Sequence, residues 1–315
     1  MQHKMRIFSG SSNPKLAQSI CAKLGVELGS IKLSRFQSGE IYVHYEESIR
    51  NCDVFLVQSL SHPINEMFVE LLVMIDAAKR ASAHTVNIIV PYYGYARQER
   101  KSAPREPISA KMVADVLTTV GANRVITIDL HASAIQGFFN IPVDHLTALD
   151  LISEYLRSKN ISNPVIVSPD AGRASMAEKL ANHLDSPFAI MIKKRPAHNE
   201  SVITHVIGDV EGRTPIIIED LIDTGTTIVK VVEGLKERGA QDAYVCATHG
   251  LFSGSALERL DHPNIKEVVV TDSIALQEHH SDRFKVLSVA PMLAQATRII
   301  IEGGSIATLF KDSGI

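Results

Sequence analysis

The stretch T-P-I-I-I-E-D-L-I-D-T-G-T-T at residues 214–227 decides the fold. It begins as a short apolar run rich in β-branched residues, which is typical of a buried strand, and it turns through a Thr-Gly-Thr-Thr loop into a helical pattern. Glu219, Asp220 and Asp223 therefore come at the carboxyl end of a strand. Because ligands of open α/β sheets bind at that edge, the stretch predicts a strand–loop–helix unit with a ligand site at its end.

Short apolar runs of the same kind recur along the chain and alternate with amphipathic stretches. Apolar residues repeat at helical spacing in Asn65–Ser82, Ile108–Val120 and Thr226–Arg238. The strand-like runs are Arg6–Ser9, Val54–Gln58, Thr85–Pro91, Arg124–Leu130, Val165–Ser168, Ala189–Lys193, Thr214–Glu219, Asp242–Thr248 and Glu267–Thr271. This alternation predicts an α/β protein with mainly parallel sheets flanked by helices.

Four strand–helix units precede residue 147 and four follow it, so we expect two tandem α/β domains rather than one barrel. The first would span residues 1–147 and the second 148–303. A length of 315 residues fits two domains at roughly 150 residues each. The stretch Lys193–Val206 has no clean period and is expected to form a long loop.

Composition excludes several classes of protein. The net charge is −3 and only 5% of the residues are aromatic, without any Trp, so we expect no nucleic-acid partner. No apolar run approaches the roughly 20 residues of a membrane span, and the first residues lack the apolar core of a signal peptide. Cys21, Cys52 and Cys246 show no CxxC spacing, which favours reduced, buried thiols in a cytoplasmic protein.

The chemistry of residues 219–227 points to a sugar phosphate. Backbone N–H groups at the helix start, with the neighbouring Thr hydroxyls, can cradle a phosphate. The carboxylates just upstream repel phosphate, so they suit the hydroxyls of a sugar or a metal shared with a diphosphate. The combination predicts a ribose 5-phosphate site. The alternative is an acidic strand end with a Thr that only caps the helix.

Two further groups of residues lie at predicted strand ends. Arg97, Arg100 and Lys101 could bind a polyphosphate by charge-assisted hydrogen bonds, although a charge run of this kind can also be a solvated face. His131 and Asp170 form a plausible imidazole and carboxylate pair for Mg²⁺, although each alone could be a structural polar residue.

With these motifs the chain resembles the ribose-phosphate pyrophosphokinase family over nearly its whole length. The matching segments are R-F-Q-S-G-E (35–40), P-Y-Y-G-Y-A-R-Q-E-R (91–100), R-E-P-I-S-A-K (105–111), D-L-H-A-S-A-I-Q-G-F-F (129–139), V-S-P-D-A-G (167–172), K-K-R-P (193–196), E-D-L-I-D-T-G-T-T (219–227) and A-T-H-G-L-F-S-G (247–254). The resemblance implies two phosphoribosyltransferase-like domains, a tail at 304–315 that returns to the first domain, and assembly into a homohexamer.

The resemblance also implies roles for individual residues. Lys193 and Arg195 are the catalytic cations of a mobile loop, and His131 and Asp170 are the ligands of Mg²⁺. The residues implied for ATP are Phe36, Ser38, Gly39, Glu40, Arg97 and Gln98. The residues implied for ribose 5-phosphate are Arg195, Glu219, Asp220, Asp223, Thr224, Gly225, Thr226 and Thr227.

The activity implied is diphosphoryl transfer from ATP to ribose 5-phosphate, which gives 5-phosphoribosyl 1-diphosphate and AMP for nucleotide biosynthesis. One alternative is a salvage phosphoribosyltransferase, which needs neither the tandem domain nor Arg97 and Gln98. Another is a non-catalytic regulatory homologue, because Ser38 and Ile192 stand where the family carries acidic residues. Arg173 also departs from the family, which has a second Gly there, as does Glu219, which replaces an Asp.

Overall fold

The computed structural model describes residues 3–197, 200–276 and 281–310, with the side chains of 193–204 and 310 outside this description. The chain divides into two compact units. The first runs up to Thr147 and also includes Ser273–Ala275 and the chain from Ser288 onwards. The second comprises Ala148–Asp272 and Leu276–Leu287.

The helices and strands alternate along both units. In chain order they are β1 (Lys4–Ser9), α1 (Pro14–Leu24), β2 (Ile31–Arg35), β3 (Ile41–Tyr45), β4 (Cys52–Val57), α2 (Ile64–Arg80), β5 (Thr85–Ile89), α3 (Ser109–Val120), β6 (Arg124–Ile128), β7 (Val143–Leu146), α4 (Leu149–Ser158), β8 (Pro164–Ser168), α5 (Ala174–His183), β9 (Phe188–Ala197), β10 (Glu200–Ile207), β11 (Thr214–Ile222), α6 (Thr226–Lys236), β12 (Ala243–Gly250), α7 (Ala256–Leu260), β13 (Ile265–Thr271), β14 (Phe284–Leu287) and α8 (Ala290–Glu302).

The first unit is built on a parallel sheet in the order β1-β4-β5-β6-β7. Its strands are short apolar runs, and their side chains join those of α2 and α3 in one buried core. Strands β2 and β3 form a separate antiparallel hairpin. The first helix, α1, begins where the Asn13 side chain accepts a hydrogen bond from the Leu16 N–H, and it ends at Gly25 in the left-handed conformation.

Helix α8 belongs to the first unit, where it packs against α1. The expected second domain, residues 148–303, is therefore wrong for residues 288–303, which belong to the first unit. The apolar face of α8 is buried through Leu293, Ala294 and Ala296. A helical pattern of this kind predicts a buried face but does not say which sheet or helix covers it.

The second unit is built on a seven-stranded sheet in the order β10-β9-β8-β11-β12-β13-β14. All neighbouring strands are parallel except β9 and β10, which pair antiparallel. The expected long loop at Lys193–Val206 is therefore wrong: residues up to Ala197 continue β9, and β10 starts at Glu200. Backbone hydrogen bonds to β9 hold β10 at the edge of the sheet. The sequence of an edge strand of this kind need not show the alternation of apolar residues from which strands are predicted.

The predicted α/β class with parallel sheets flanked by helices is confirmed. The three predicted helices exist, and the chain after α6 turns at Gly239 with a φ of +79°. The three cysteines are free and buried, as predicted. Within the described residues, the helices include none of the length and apolar character needed to cross a membrane.

Candidate functional site

The centre of the second unit's sheet ends in two buried carboxylates. Glu219 and Asp220 are 9% and 4% exposed and lie near the carboxyl end of β11, between β8 and β12. They follow the fully apolar Ile216–Ile218, which anchors the strand in the sheet. Burial of adjacent carboxylates is costly unless a cation or a ligand compensates it.

Arg173 supplies that compensation within the protein. Its Nη2 lies 2.9 Å from Oδ1 of Asp220, and its Nε lies 3.4 Å from Oε2 of Glu219. Burial, and then the charge of Asp220, raise the pKa of Glu219 to about 8, while the Arg173 guanidinium acts in the opposite direction. Burial and the neighbouring negative charges therefore favour the protonated form of Glu219.

Asp170 lies two residues after the end of β8, the strand next to β11. Its Oδ1 accepts a hydrogen bond of 3.0 Å from the N–H of Gly172, and the Ser168 hydroxyl donates to its carbonyl oxygen over 2.6 Å. The negative charge of Asp170 contributes to the raised pKa of Glu219. The carboxylate is thus oriented by its own turn and lies within the electrostatic reach of the β11 carboxyl groups.

The loop after β11 turns sharply into α6. Gly225 is buried and has a φ of +72°, a conformation that side chains rarely adopt. A Cβ atom at this position would lie 3.1 Å from Cγ of Leu260. Thr224, Thr226 and Thr227 are exposed at the helix start, where the first N–H groups have no partner within the helix turn.

Residues in the segment 253–259 form hydrogen bonds with the backbone of this loop. The N–H of Ser253 donates to the carbonyl oxygen of Asp223 over 3.0 Å. Arg259, on α7, donates from Nη1 to the carbonyl oxygen of Thr224 and from Nη2 to the Ser255 hydroxyl. These hydrogen bonds restrain the backbone of the 223–227 loop and therefore the positions of its threonines.

In the first unit, His131 follows the end of β6. Asp129 adopts a φ of +39°, and its N–H donates to the carbonyl oxygen of Leu146 over 2.9 Å. The N–H of Leu130 donates to Nε2 of His145, a residue of β7, over 2.9 Å. The turn before His131 is therefore tied to the neighbouring strand at two successive residues.

The segment after β5 carries Arg97 and Gln98 in a short 3-10 turn. Tyr93 is buried in the core of the first unit, and its hydroxyl donates to the carbonyl oxygen of Ala110 over 2.9 Å. Gln98 accepts a hydrogen bond from the Ser109 hydroxyl at the start of α3. Both Arg97 and Gln98 are exposed, so the anchored turn presents them at the surface of this unit.

The loop of the β2–β3 hairpin carries the other residues expected at ATP. Phe36 is 56% exposed and meets the ring of Tyr42 edge to face, with 5.6 Å between the centroids. Ser38 donates from its hydroxyl to Oε2 of Glu40 over 2.6 Å, and Gly39 adopts a φ of +94°. An exposed ring beside small polar groups can stack on a base.

The structure thus brings Asp170, Glu219 and Asp220 together at one sheet edge, beside the 223–227 loop. The strand β9 contains Lys193 and Arg195, but the side chains of both lie outside the described part of the chain. Among the described residues, there is no cluster of three or more His, Cys, Asp or Glu side chains arranged to hold a metal.

Three residues that contact proposed site residues or their neighbours in sequence have no functional motif of their own. In the sequence, Arg173 is only a departure from the family pattern, and His145 and Arg259 belong to no motif. The pairing of Arg173 with the β11 carboxyl groups depends on β8 and β11 being neighbours in the sheet, which no local pattern shows. His145 and Arg259 reach backbone groups of distant segments, and such contacts have no local pattern.

Family models match most of the chain. Residues 5–121 match the N-terminal domain of ribose phosphate pyrophosphokinase, and residues 167–311 match the phosphoribosyl synthetase-associated domain.

Full-length relatives carry the same name. A ribose-phosphate pyrophosphokinase of Bacillus cereus is 50% identical over 312 residues, which cover 99% of this chain and 98% of the relative. The Corynebacterium ammoniagenes protein is 49% identical with the same coverage. The crystal structure of phosphoribosylpyrophosphate synthetase from Mycobacterium smegmatis superposes with a TM-score of 0.91 at 42% identity, and covers 96% of this chain and 100% of its own.

Proposed function

The chain belongs to the ribose-phosphate pyrophosphokinase family, and we infer that it transfers the diphosphoryl group of ATP to the C1 hydroxyl of ribose 5-phosphate. The products are 5-phosphoribosyl 1-diphosphate and AMP, so the enzyme is an ATP-dependent diphosphotransferase that serves nucleotide biosynthesis. The observation that carries this conclusion is the acidic end of β11 followed at once by the 223–227 loop and the start of α6.

Ribose 5-phosphate is held by the second unit in this proposal. The N–H groups at the start of α6 and the hydroxyls of Thr224, Thr226 and Thr227 bind its 5-phosphate. Glu219 and Asp220, with Asp223, face the sugar, because carboxyl oxygens accept hydrogen bonds from a vicinal diol. The burial of Glu219 and Asp220 supports this role, since desolvated carboxyl groups gain most from a polar ligand.

ATP is bound by residues of the first unit. Phe36, with Ser38, Gly39 and Glu40, receives the adenine end, and the exposed ring of Phe36 supports a stacking role. Arg97 binds the phosphates, for which a guanidinium is suited by charge and geometry, and Gln98 contacts the nucleotide beside it.

A divalent metal is implied by an ATP-using diphosphotransferase, and we propose Mg²⁺ with His131 and Asp170 as protein ligands. Mg²⁺ binds few protein ligands and takes its other oxygens from water and substrate phosphates, so it needs no preformed cage of side chains. The carboxylate of Asp170, oriented by the N–H of Gly172, fits this requirement. When bound, the metal would neutralise charge on the polyphosphate.

The oxygen of the C1 hydroxyl forms a bond to the β-phosphorus of ATP, and its proton is released to solvent. The bond between that phosphorus and the α–β bridging oxygen breaks, and AMP leaves with this oxygen. Charge accumulates on the transferred oxygens, so the protein contributes mainly by positioning and electrostatic stabilisation. Lys193 and Arg195 neutralise that charge, and Arg195 also contacts ribose 5-phosphate. The 223–227 loop and the β11 carboxyl groups keep the acceptor hydroxyl aimed at the phosphorus.

Two further proposals rest on the family resemblance. The enzyme assembles as a homo-oligomer, with the hexamer as the expected form. It works in the cytoplasm, which is supported by the three free, buried cysteines.

Incubation of the enzyme with ATP, Mg²⁺ and ribose 5-phosphate tests the activity, with AMP and phosphoribosyl diphosphate measured together. Equimolar formation of both products is expected, and it should stop when ribose 5-phosphate is omitted. No AMP at micromolar enzyme would instead favour a regulatory homologue. Consumption of phosphoribosyl diphosphate in the presence of a purine base would favour a salvage phosphoribosyltransferase.

A further inference from the structure

Arg173 is placed to act on the sugar end of the site. It lies at the end of the short turn that follows Asp170, and its guanidinium reaches across to the neighbouring strand β11. Two different nitrogens are used: Nη2 approaches Asp220 at 2.9 Å, and Nε approaches Glu219 at 3.4 Å. The side chain is 18% exposed, so the contact is largely shielded from solvent.

This geometry fixes two adjacent carboxyl groups at once. The side chains of successive residues in a strand point to opposite faces of the sheet. Strand geometry alone therefore does not direct two neighbouring carboxyl groups toward the same ligand. The planar guanidinium offers donors in fixed directions, which restricts the rotamers of both partners. Its charge also opposes the repulsion that Asp170 and Asp220 exert on an ionised Glu219.

We propose that Arg173 is a positioning residue for ribose recognition, which holds Glu219 and Asp220 in the arrangement that binds the 2- and 3-hydroxyls of the sugar. This inference rests on the proposed function of the site. It assigns a role in substrate discrimination to a residue that stands where the family has a glycine. In this proposal the Arg173 guanidinium orients Glu219 and Asp220 before the substrate binds.

The role predicts a specific pattern of affinity. Removal of the guanidinium frees both carboxyl groups to separate, which weakens the hydrogen bonds to the 2- and 3-hydroxyls and leaves the phosphate contacts of the 223–227 loop in place. Ribose 5-phosphate should therefore lose more affinity than 2-deoxyribose 5-phosphate, which has only one of the two hydroxyls. A general loss of fold stability would weaken both sugars alike.

The experiment compares the wild-type enzyme with Arg173→Met, Arg173→Lys and the control Arg213→Met. Arg213 lies in the same unit and pairs with Asp209 at 3.3 Å and with Asn163 at 2.9 Å, away from β8 and β11 carboxyl groups. Calorimetry measures the dissociation constants of ribose 5-phosphate and 2-deoxyribose 5-phosphate for each full-length protein. Initial rates give the KM values of ribose 5-phosphate and of ATP.

We expect Arg173→Met to weaken ribose 5-phosphate by about tenfold or more, since hydrogen bonds to charged groups are the strong ones, and to reduce the preference over the deoxy sugar. The KM of ATP should stay within about twofold, and Arg173→Lys should recover part of the preference because it keeps the charge. Arg213→Met should match the wild type.

The inference is overturned if Arg173→Met and Arg173→Lys both keep the wild-type preference between the two sugars. It is also overturned if the two sugars lose affinity equally. If Arg173→Met fails to fold, Arg173→Lys tests the inference by itself, because lysine cannot bridge both carboxyl groups with a rigid fork. A wild-type preference between the two sugars in Arg173→Lys would then overturn the inference. Failure of the wild type itself to bind ribose 5-phosphate would contradict the proposed function, which is a distinguishable result.

Discussion

The N–H of Leu130 donates a hydrogen bond of 2.9 Å to Nε2 of His145. The other ring nitrogen of His145, Nδ1, lies 3.2 Å from the side-chain nitrogen of Gln136. The bond joins the last residue before His131 to strand β7. It makes the position of a proposed metal ligand depend on a histidine that is not itself a ligand.

Substitution of His145 by Leu should lower the free energy of unfolding by about 1–3 kcal/mol, because the Leu130 N–H loses its acceptor. It should also raise the Mg²⁺ concentration needed for half-maximal activity. His145→Gln keeps a side-chain acceptor and should do less of both. Urea unfolding and Mg²⁺ titration of the rate test this, with the exposed His44→Leu as a control; equal effects of Leu and Gln at position 145 would contradict it.

The backbone of the 223–227 loop requires a glycine at position 225. An alanine there would adopt a φ of +72° and place its Cβ 3.1 Å from Leu260, so Gly225→Ala should cost about 1–2 kcal/mol of stability. If the loop relaxes to relieve this strain, the KM of ribose 5-phosphate rises while the KM of ATP does not.

Gly239 provides a matched control in the same unit. It has a φ of +79°, and an added Cβ would lie 3.2 Å from Cγ of the exposed Glu211, which can move away, so the two alanine variants share the backbone strain of a positive φ. Gly239→Ala should lose comparable stability in thermal unfolding and keep the wild-type KM of ribose 5-phosphate. A raised KM in both variants would show that stability, rather than the loop, controls binding.

Local signals in the sequence were sufficient for the part of the site that is local. Strand β11, the loop and α6 are continuous in the chain, and their apolar run, glycine and helical spacing predicted all three. The pairing of Arg173 with Asp220 could not be predicted in the same way. It depends on β8 and β11 lying side by side in the sheet, and strand order is a property of the whole unit.

Some elements were missed although their pattern was present. Strand β3 alternates half-buried Ile41, Val43 and Tyr45 with exposed residues, which is the signature of a half-buried strand. Strand β10 is different, because it forms the edge of its sheet and is held by pairing with β9. For such strands the partner, and not the strand's own sequence, decides the structure.

Arg259 should contribute to ribose 5-phosphate binding without touching the ligand. Arg259→Met removes the donor to the Thr224 carbonyl oxygen, so the loop backbone loses a support and the KM of ribose 5-phosphate should rise about threefold to tenfold. Arg283→Met is the control, since Arg283 also donates to a carbonyl oxygen, that of His262, over 2.6 Å, in a different loop. Equal KM values in the two variants would contradict a specific role for Arg259.

Glu219 should make the stability of the protein depend on pH. Burial raises its pKa from 4.5 to about 8, so between these values the folded protein holds a proton that the unfolded chain has released. Stability then falls as pH rises, by up to about 1.4 kcal/mol per pH unit, and the contribution is lost once pH passes the folded pKa of about 8. Below pH 4.5 both states hold the proton, so no change is expected there.

Glu219→Gln removes the titration and keeps a neutral side chain of the same shape. Its stability relative to the wild type should therefore increase from about pH 5 to about pH 8 and level off above that range. Urea unfolding at intervals of one pH unit, in metal-free buffer, gives the difference directly. Glu178→Gln, at an exposed position, is the control for the loss of one carboxyl group. A Glu219→Gln curve parallel to that of the wild type would mean that Glu219 is already ionised in the folded protein at neutral pH.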